Sequence, residues 1–189
     1  MNSKTKILTV TALGTALICI LSPFSIAIPI SPVPVSLSIL AIYIAVYALG
    51  MKWGLAATAL YLLIGLVGIP VFSGFSGGAG KLLGPTGGYL IGYLAVALIS
   101  GFFIDRWGKR LFHAAGMVLG TLCCYMLGTV WLAHTAGMDL RAALGAGVIP
   151  FLPADAVKVA AAVLIGPKLR NTLKRTGWEI SDEKDTDHK

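Results

Sequence analysis

Apolar residues in this chain do not alternate with polar ones; they run unbroken for tens of positions. No charged residue stands between Lys6 and Lys52, between Lys52 and Lys81, or between Lys81 and Asp105, and after Arg110 the next charge is Asp139. Such runs reach or exceed the roughly 20 apolar residues that one bilayer crossing requires. Backbone crosses lipid only as a helix or a closed barrel, because every N–H and C=O must be paired internally. A barrel strand would alternate lipid-facing and lumen-facing residues; these runs are continuous and predict helices. The pattern predicts an all-α polytopic membrane protein, a bundle of six transmembrane helices at about 7–27, 35–51, 53–69, 87–104, 111–134 and 152–168, with structured external loops. Residues 1–168 then form a single transmembrane domain and 169–189 a polar tail. The second and third spans are joined by little more than GMKWG. The last span is short, so that a tilt or a re-entrant piece in 141–150 makes up the depth. The opening MNSKTKILTVTALGTALICILSPF resembles a signal peptide. Its apolar region is long for one and no small-x-small cleavage site stands out, so it reads as a retained first span.

Composition adds to this mainly through where the charges fall. Charged residues make up 12% of the chain, against about a quarter in soluble domains. A net charge of +7 would suit nucleic acid, but here the basic residues mark the ends of apolar runs, and no nucleic-acid partner is expected. Six spans bring both termini to one side, together with Lys4, Lys6, Lys52, Arg106, Lys109, Arg110, Lys168, Arg170, Lys174 and Arg175; the other side holds Lys81 and Arg141. The positive-inside rule therefore puts both termini in the cytoplasm. Cys19, Cys123 and Cys124 lie inside apolar runs, with neither CxxC spacing nor surrounding histidines, and read as small core or lipid-facing residues. No metal site is expected.

This topology gathers the unusual connections on the external face: IPISPVPVS at 28–36, the glycine-rich 70–86, and 135–151. The stretch GIPVFSGFSGGAGKLLGPTGGYL at 68–90 is not a phosphate loop. Phe75 stands where the first Walker glycine belongs, Leu82 follows Lys81 where a hydroxyl belongs, and no strand precedes it. A slack linker is the bland alternative, but Pro70, Val71, Phe72 and Phe75 are too apolar for a spacer. Glycines such as Gly77 and Gly78 leave backbone N–H groups open to a carboxylate or carbonyl, and Lys81 adds a positive charge. A folded cap over a ligand is the sharper reading. Pro29, Pro32 and Pro34 make a stiff extended entry to the second span. Ser36 and Ser38 follow, offering either a ligand hydroxyl or a helix cap.

In PFLPADAVKVAAAVLIG at 150–166, Asp155 and Lys158 are three apart and share a helix face. They are the charged residues set well within an apolar span, where ionisable groups pair and mark functional sites. Pro153 suits a helix start, and Asp155 then lies in the first turn, where the helix dipole favours its charge. A packing or topology salt bridge, with Lys158 snorkelling outward, is the alternative. Catalysis has no support: there is no HExxH, no paired carboxylates, no serine–histidine pair, and His113, His134 and His188 are far apart in sequence. The chain is not expected to be an enzyme. In the first span Ala12 and Ala16, with Gly14 between them, form an AxxxA face suited to close packing with another helix.

Together, SPVPVSLSI at 31–39, the 68–90 loop and PFLPADAVK at 150–158 resemble the BioY family, over nearly the whole chain. These are the membrane-embedded, biotin-binding components of energy-coupling factor transporters. The resemblance implies a six-helix bundle in a prokaryotic cytoplasmic membrane, with the vitamin pocket near the external face under loops. It implies biotin as transported ligand with no cofactor, and as partners a transmembrane coupling protein and two cytoplasmic ATPase subunits. Asp155 and Lys158 would line the biotin site and the segment from Gly74 to Tyr89 would contribute. Phe72 and Tyr89 are candidates for the thiophane wall, with Lys158, Lys81 and the Gly77–Gly78 backbone for the carboxylate. The AxxxA face of Ala12 and Ala16 would meet the coupling protein. The family's first signature commonly carries Thr and Gln where this chain has Ser36 and Ser38; the hydroxyl survives at 36 and the longer amide is lost at 38. Other readings are capture of thiamin or riboflavin, a stand-alone secondary biotin transporter, or a structural membrane protein without a ligand, which leaves the Asp155/Lys158 pair unexplained.

Overall fold

The computed structural model describes residues 3–27, 29 and 31–176. Its elements follow in order: α1 (Ser3–Leu21), a two-residue strand β1 (Ser25–Ile26), β2 (Val35–Ser36), α2 (Ser38–Leu66), α3 (Ala79–Leu83), α4 (Gly87–Arg106), α5 (Arg110–Ala136), α6 (Leu140–Gly147), a single 3-10 turn (Ile149–Phe151) and α7 (Leu152–Arg175). Among the described residues, four segments are long and apolar enough to cross a membrane: Ser38–Leu66, Gly87–Arg106, Arg110–Ala136 and Leu140–Arg175. The apolar stretch Thr5–Leu21 of α1 is shorter. The chain is thus an all-α, multi-span membrane protein.

α2 is not one straight rod. Gly50 has φ 77° and ψ 179°, outside the helical region. In a continuous helix residues 46 and 54 would be about 12 Å apart along the axis. Here a side-chain carbon added at Gly54 would lie 3.0 Å from the Val46 Cα, and one added at Gly14 would meet both Leu49 and Ala57. The chain therefore doubles back at Gly50. The expected boundary between residues 51 and 53 falls instead on the glycine itself, because only a residue without Cβ adopts this conformation cheaply. Asp105, at the end of α4, holds the turn: its Oδ2 accepts from Met51 N at 2.7 Å, and its Oδ1 pairs with Arg170 Nη2 of α7 at 2.7 Å. Arg170 Nη1 also donates to the Ile104 carbonyl at 3.2 Å.

Three other expected edges move. The first span was expected to reach 27, but α1 stops at Leu21 and the next residues form a short antiparallel hairpin, Ser25 opposite Ser36 and Ile26 opposite Val35. The prolines of SPVPVS favour this extended geometry and delay the start of α2 to Ser38. The region expected to supply extra depth at 141–150 is the short helix α6 and its 3-10 turn. α7 continues past 168 to Arg175, and the remainder of the expected polar tail, from 177, lies outside the described residues.

Between helices in lipid there is little hydrophobic drive, so close packing through small residues carries the interface. α4 and α5 show this: Gly92 faces Cys124, Gly120 faces Val96, and Gly128 lies against the Tyr89 ring. The interior is rich in tyrosine, with Tyr43, Tyr47 and Tyr61 fully buried. Tyr43 donates to the Met117 carbonyl at 3.1 Å and pairs with Thr121 Oγ1 at 2.5 Å. The outward faces carry leucines such as Leu8 and Leu111.

Gly50→Ala should strain the turn and press a methyl toward Asp105, since a carbon there lies 3.0 Å from Oδ2. The expected cost is about 1–3 kcal/mol, read as a lower thermal unfolding midpoint of the purified protein in detergent.

Candidate functional site

Pro153 occupies the first turn of α7 and needs no N–H there, so it starts the helix and sets Asp155 one residue pair further on. Asp155 lies where the positive end of the helix dipole favours a carboxylate. One turn along, Lys158 Nζ donates to Asp155 Oδ1 at 2.6 Å. From α5, the Tyr125 hydroxyl donates to Asp155 Oδ2. Asp155 and Lys158 are only 5% and 7% exposed. Their opposite charges and the tyrosine donor let both remain in a low-dielectric interior that neither tolerates alone.

This cluster forms one wall of a narrow cavity of about 30 Å³. Val33, Pro34, Ser36 and Ile39 bound it from the hairpin and the start of α2; Tyr89 and Tyr93 from α4; Cys124 and Tyr125 from α5; and Phe151 from the 3-10 turn. Tyr89 is fixed by donating to the Gly147 carbonyl at 3.0 Å. Ser36 Oγ and Ser38 Oγ share a hydrogen bond of 2.8 Å. Ser36 therefore sits on β2 with its hydroxyl turned to Ser38, while Leu37 is the residue preceding α2 and contributes no side-chain cap.

The hairpin and the glycine-rich loop cover this end together. Gly74 N donates to the Pro23 carbonyl at 2.9 Å, and the rings of Phe24 and Phe75 meet edge to face with centroids 5.6 Å apart. Phe72 and Ser76 pair across the loop's tip, where Gly74 and Phe75 both have positive φ. A second crevice, about 430 Å³, opens between Pro23, Ser25, Leu37 and Phe75 and shares Ser36 with the inner cavity.

The structure thus brings Asp155, Lys158, Tyr89 and Ser36 to one cavity and leaves the other candidates off its lining. Phe72 is fully buried against Tyr61, with ring centroids 5.5 Å apart, and packs over Gly65. Gly77 closes on the Ile69 carbonyl, and Gly78 N donates to Gly65 O at 2.7 Å, so both shape the loop. Lys81 is part of the short α3, where its carbonyl accepts from Thr86 Oγ1 at 3.4 Å. Ala12 and Ala16 are exposed on the outer face of α1, while Thr11, Thr15 and Ile18 turn inward. Among the described residues, no three of His, Cys, Asp and Glu gather as a metal-binding group.

Sequence reasoning missed Tyr93, Cys124, Tyr125 and Phe151. Tyr93 was reachable, since it follows Tyr89 by one helical turn and shares its face. Tyr125 left a weaker sign: a tyrosine within an apolar helix needs a partner for its hydroxyl. Nothing in the spacing showed that this partner is Asp155, thirty residues away.

A model of the BioY family matches residues 1–175. The chain is similar to the biotin transporter BioY of Thermotoga maritima, with 38% identity over 145 residues, covering 77% of this chain and 85% of that protein. It is similar also to the probable biotin transporter BioY of Pyrococcus horikoshii, 36% identical over 167 residues, 88% of this chain and 98% of the other. The fold resembles a crystal structure of the S-component for biotin from an ECF-type ABC transporter, with a TM-score of 0.82 and 33% identity over 90% of this chain and 95% of that one.

Removing one member of a buried ion pair leaves the other charge uncompensated and costs about 3–5 kcal/mol. Asp155→Ala should destabilise the fold on that scale, whereas Asp155→Ala combined with Lys158→Met should recover much of the loss. Thermal unfolding of the two single variants and the double variant, compared as a cycle, measures the coupling.

Proposed function

The chain belongs to the BioY family, and on that footing we propose that it captures biotin at the Asp155–Lys158 cavity as the substrate-binding component of an energy-coupling factor transporter. The observation that carries this reading is a buried, mutually neutralised donor and acceptor, 2.6 Å apart, under a two-loop lid. Biotin's ureido ring offers an N–H beside a C=O. A carboxylate beside an ammonium is the complementary edge: Asp155 accepts from the ring N–H while Lys158 donates to the ring carbonyl. Tyr89, Tyr93, Ile39 and Phe151 supply apolar surface for the thiophane ring. The valerate then points toward Ser36 and the lid, where the second crevice lies. A few convergent polar groups in an apolar enclosure are enough to specify such a ligand.

The bundle crosses the membrane six times in this reading: the two arms of α2 on either side of Gly50 count separately, and with α1, α4, α5 and α7 they make the six. The positive-inside rule orients the Gly50 turn, Arg106, Lys109, Arg110 and the end of α7 to the cytoplasm, together with both termini. The lid and cavity then face outward. The chain carries no nucleotide-binding motif, and family membership supports a coupling protein and its ATPases as the source of energy for uphill transport. The exposed Ala12/Ala16 face of α1 supports a close helix contact with that coupling protein.

Calorimetry on the detergent-purified chain should give roughly nanomolar biotin binding, about −12 kcal/mol, and none with thiamin or riboflavin. Asp155→Asn should weaken biotin by about a hundredfold, because it replaces a charged acceptor and strands Lys158; unchanged affinity would remove Asp155 from the site. Ala12→Leu and Ala16→Leu should leave biotin binding intact and reduce co-purification with the coupling protein and uptake in cells. Full uptake by both variants would move the partner surface elsewhere.

A further inference from the structure

The end of the bundle opposite the lid, where Asp105 holds the Gly50 turn, contains a cavity of about 430 Å³ that biotin capture does not use. That volume lies within the roughly 300–1,000 Å³ of small-molecule sites. Two distant stretches of the chain supply its charges: Arg110 opens α5, and Arg170 and Lys174 lie one turn apart near the end of α7. Among the described residues, Asp105 is the one carboxylate on the lining, and its Oδ1 pairs with Arg170. Arg110 belongs to neither of the ion pairs formed within the described residues. Arg170 uses one N–H on Asp105 and one on the Ile104 carbonyl, and a guanidinium carries five, so it keeps donors to spare. His113 forms the floor: Nε2 meets the Trp107 carbonyl at 2.6 Å and Nδ1 the Tyr47 hydroxyl at 3.2 Å. Both ring nitrogens are thereby engaged, and recognition falls to the arginines and the lysine. Membrane topology explains basic residues near span ends, but not their convergence on one cavity. Arg106 and Lys109 belong to the same connection and stay off the lining.

The rim of this cavity is apolar. Trp107 lines it, stacks on Phe112 with ring centroids 5.4 Å apart, and meets Phe103 at 4.8 Å and Phe102 at 5.7 Å. Phe102, Phe112 and Leu111 are exposed beside it. A tryptophan at a helix end marks the level where headgroups give way to acyl chains. Cations and an exposed aromatic rim at one place suit a molecule with an anionic head and apolar chains; a dissolved phosphate has no use for the rings. We propose that this cavity holds the phosphate of an anionic glycerophospholipid from the leaflet on the Gly50 side. Arg110, Arg170 and Lys174 meet the headgroup, with the arginine forks suited to two phosphate oxygens at once. The acyl chains lie along Phe102, Leu111 and Phe112. A headgroup held between Arg110 and Arg170 joins the start of α5 to the end of α7. This site is separate from the Asp155–Lys158 cavity, and it stands or falls independently of biotin capture.

The test uses the full chain in detergent, titrated with dioleoylphosphatidylglycerol, with dioleoylphosphatidylcholine, or with inorganic phosphate. Native mass spectrometry counts the bound lipid, so that a variant of altered stability still gives an answer. The phosphatidylglycerol should bind saturably at one copy per chain and raise the unfolding midpoint, and neither phosphatidylcholine nor inorganic phosphate should do so. Each basic residue near a membrane surface contributes roughly a fivefold gain for anionic lipid, so Arg110→Gln combined with Lys174→Gln should weaken phosphatidylglycerol about thirtyfold. Arg106→Gln combined with Lys109→Gln removes the same charge from outside the lining and should weaken it by less than about fivefold. Equal retention of phosphatidylcholine, unchanged phosphatidylglycerol binding in the Arg110/Lys174 variant, or equal losses in the two double variants would overturn the site. Saturable binding of inorganic phosphate with the same rise in midpoint would overturn the lipid as its occupant. Biotin affinity should be the same in both double variants as in the unaltered chain.

Discussion

A charge pair held inside an apolar bundle is the constraint on which the rest of this structure depends. A carboxylate or an ammonium in such surroundings is costly alone, and only a full set of partners makes it tolerable. Asp155 meets that condition through Lys158 on its own helix and Tyr125 on α5. The pair needs α7 to begin at a defined depth, which Pro153 and the preceding 3-10 turn arrange, and it needs α5 at a defined rotation. It also needs cover. The hairpin of β1 and β2 and the glycine-rich loop supply that cover by docking Phe24 on Phe75 and Gly74 on Pro23.

The two ends of the bundle are held by different means. At the Gly50 end, Asp105 ties the α2 turn to α7 with a backbone hydrogen bond and a salt bridge, and that end is locked by directional contacts between regular elements. At the other end, among the described residues, the two loops meet through the Gly74–Pro23 backbone hydrogen bond and the Phe24–Phe75 aromatic contact, with the small hairpin beside them.

Between these ends the glycines of α4 and α5 do the positioning. Gly92 and Gly128 allow Cys124 and the Tyr89 ring to approach the facing helix, and this brings Tyr89, Tyr93, Cys124 and Tyr125 onto one wall. A methyl at either position would push the helices apart. The aromatic wall of the cavity is thus a product of small residues that are not on its lining.

Much of this was readable from the chain alone, because the causes are local. Long charge-free runs force helices, since lipid offers backbone groups no other partner. A three-residue spacing puts Asp155 and Lys158 side by side whatever the fold does elsewhere, and prolines before Ser36 force an extended entry. An AxxxA repeat puts Ala12 and Ala16 on one face by helix geometry. What stayed hidden depends on which helix meets which. Phe72 reads as an apolar loop residue suited to a pocket wall, yet Gly65 leaves a hollow on α2 that the ring fills beside Tyr61. Lys81 is an isolated cation in a glycine-rich loop, and only the coiling of that loop into α3 sets it off the cavity lining. Tyr125 is one aromatic among many until α5 packs beside α7 and aims its hydroxyl at Asp155. Backbone satisfaction and residue spacing are properties of a segment and travel with the sequence; contact between segments is a property of the packed bundle, and the tertiary structure alone decides it.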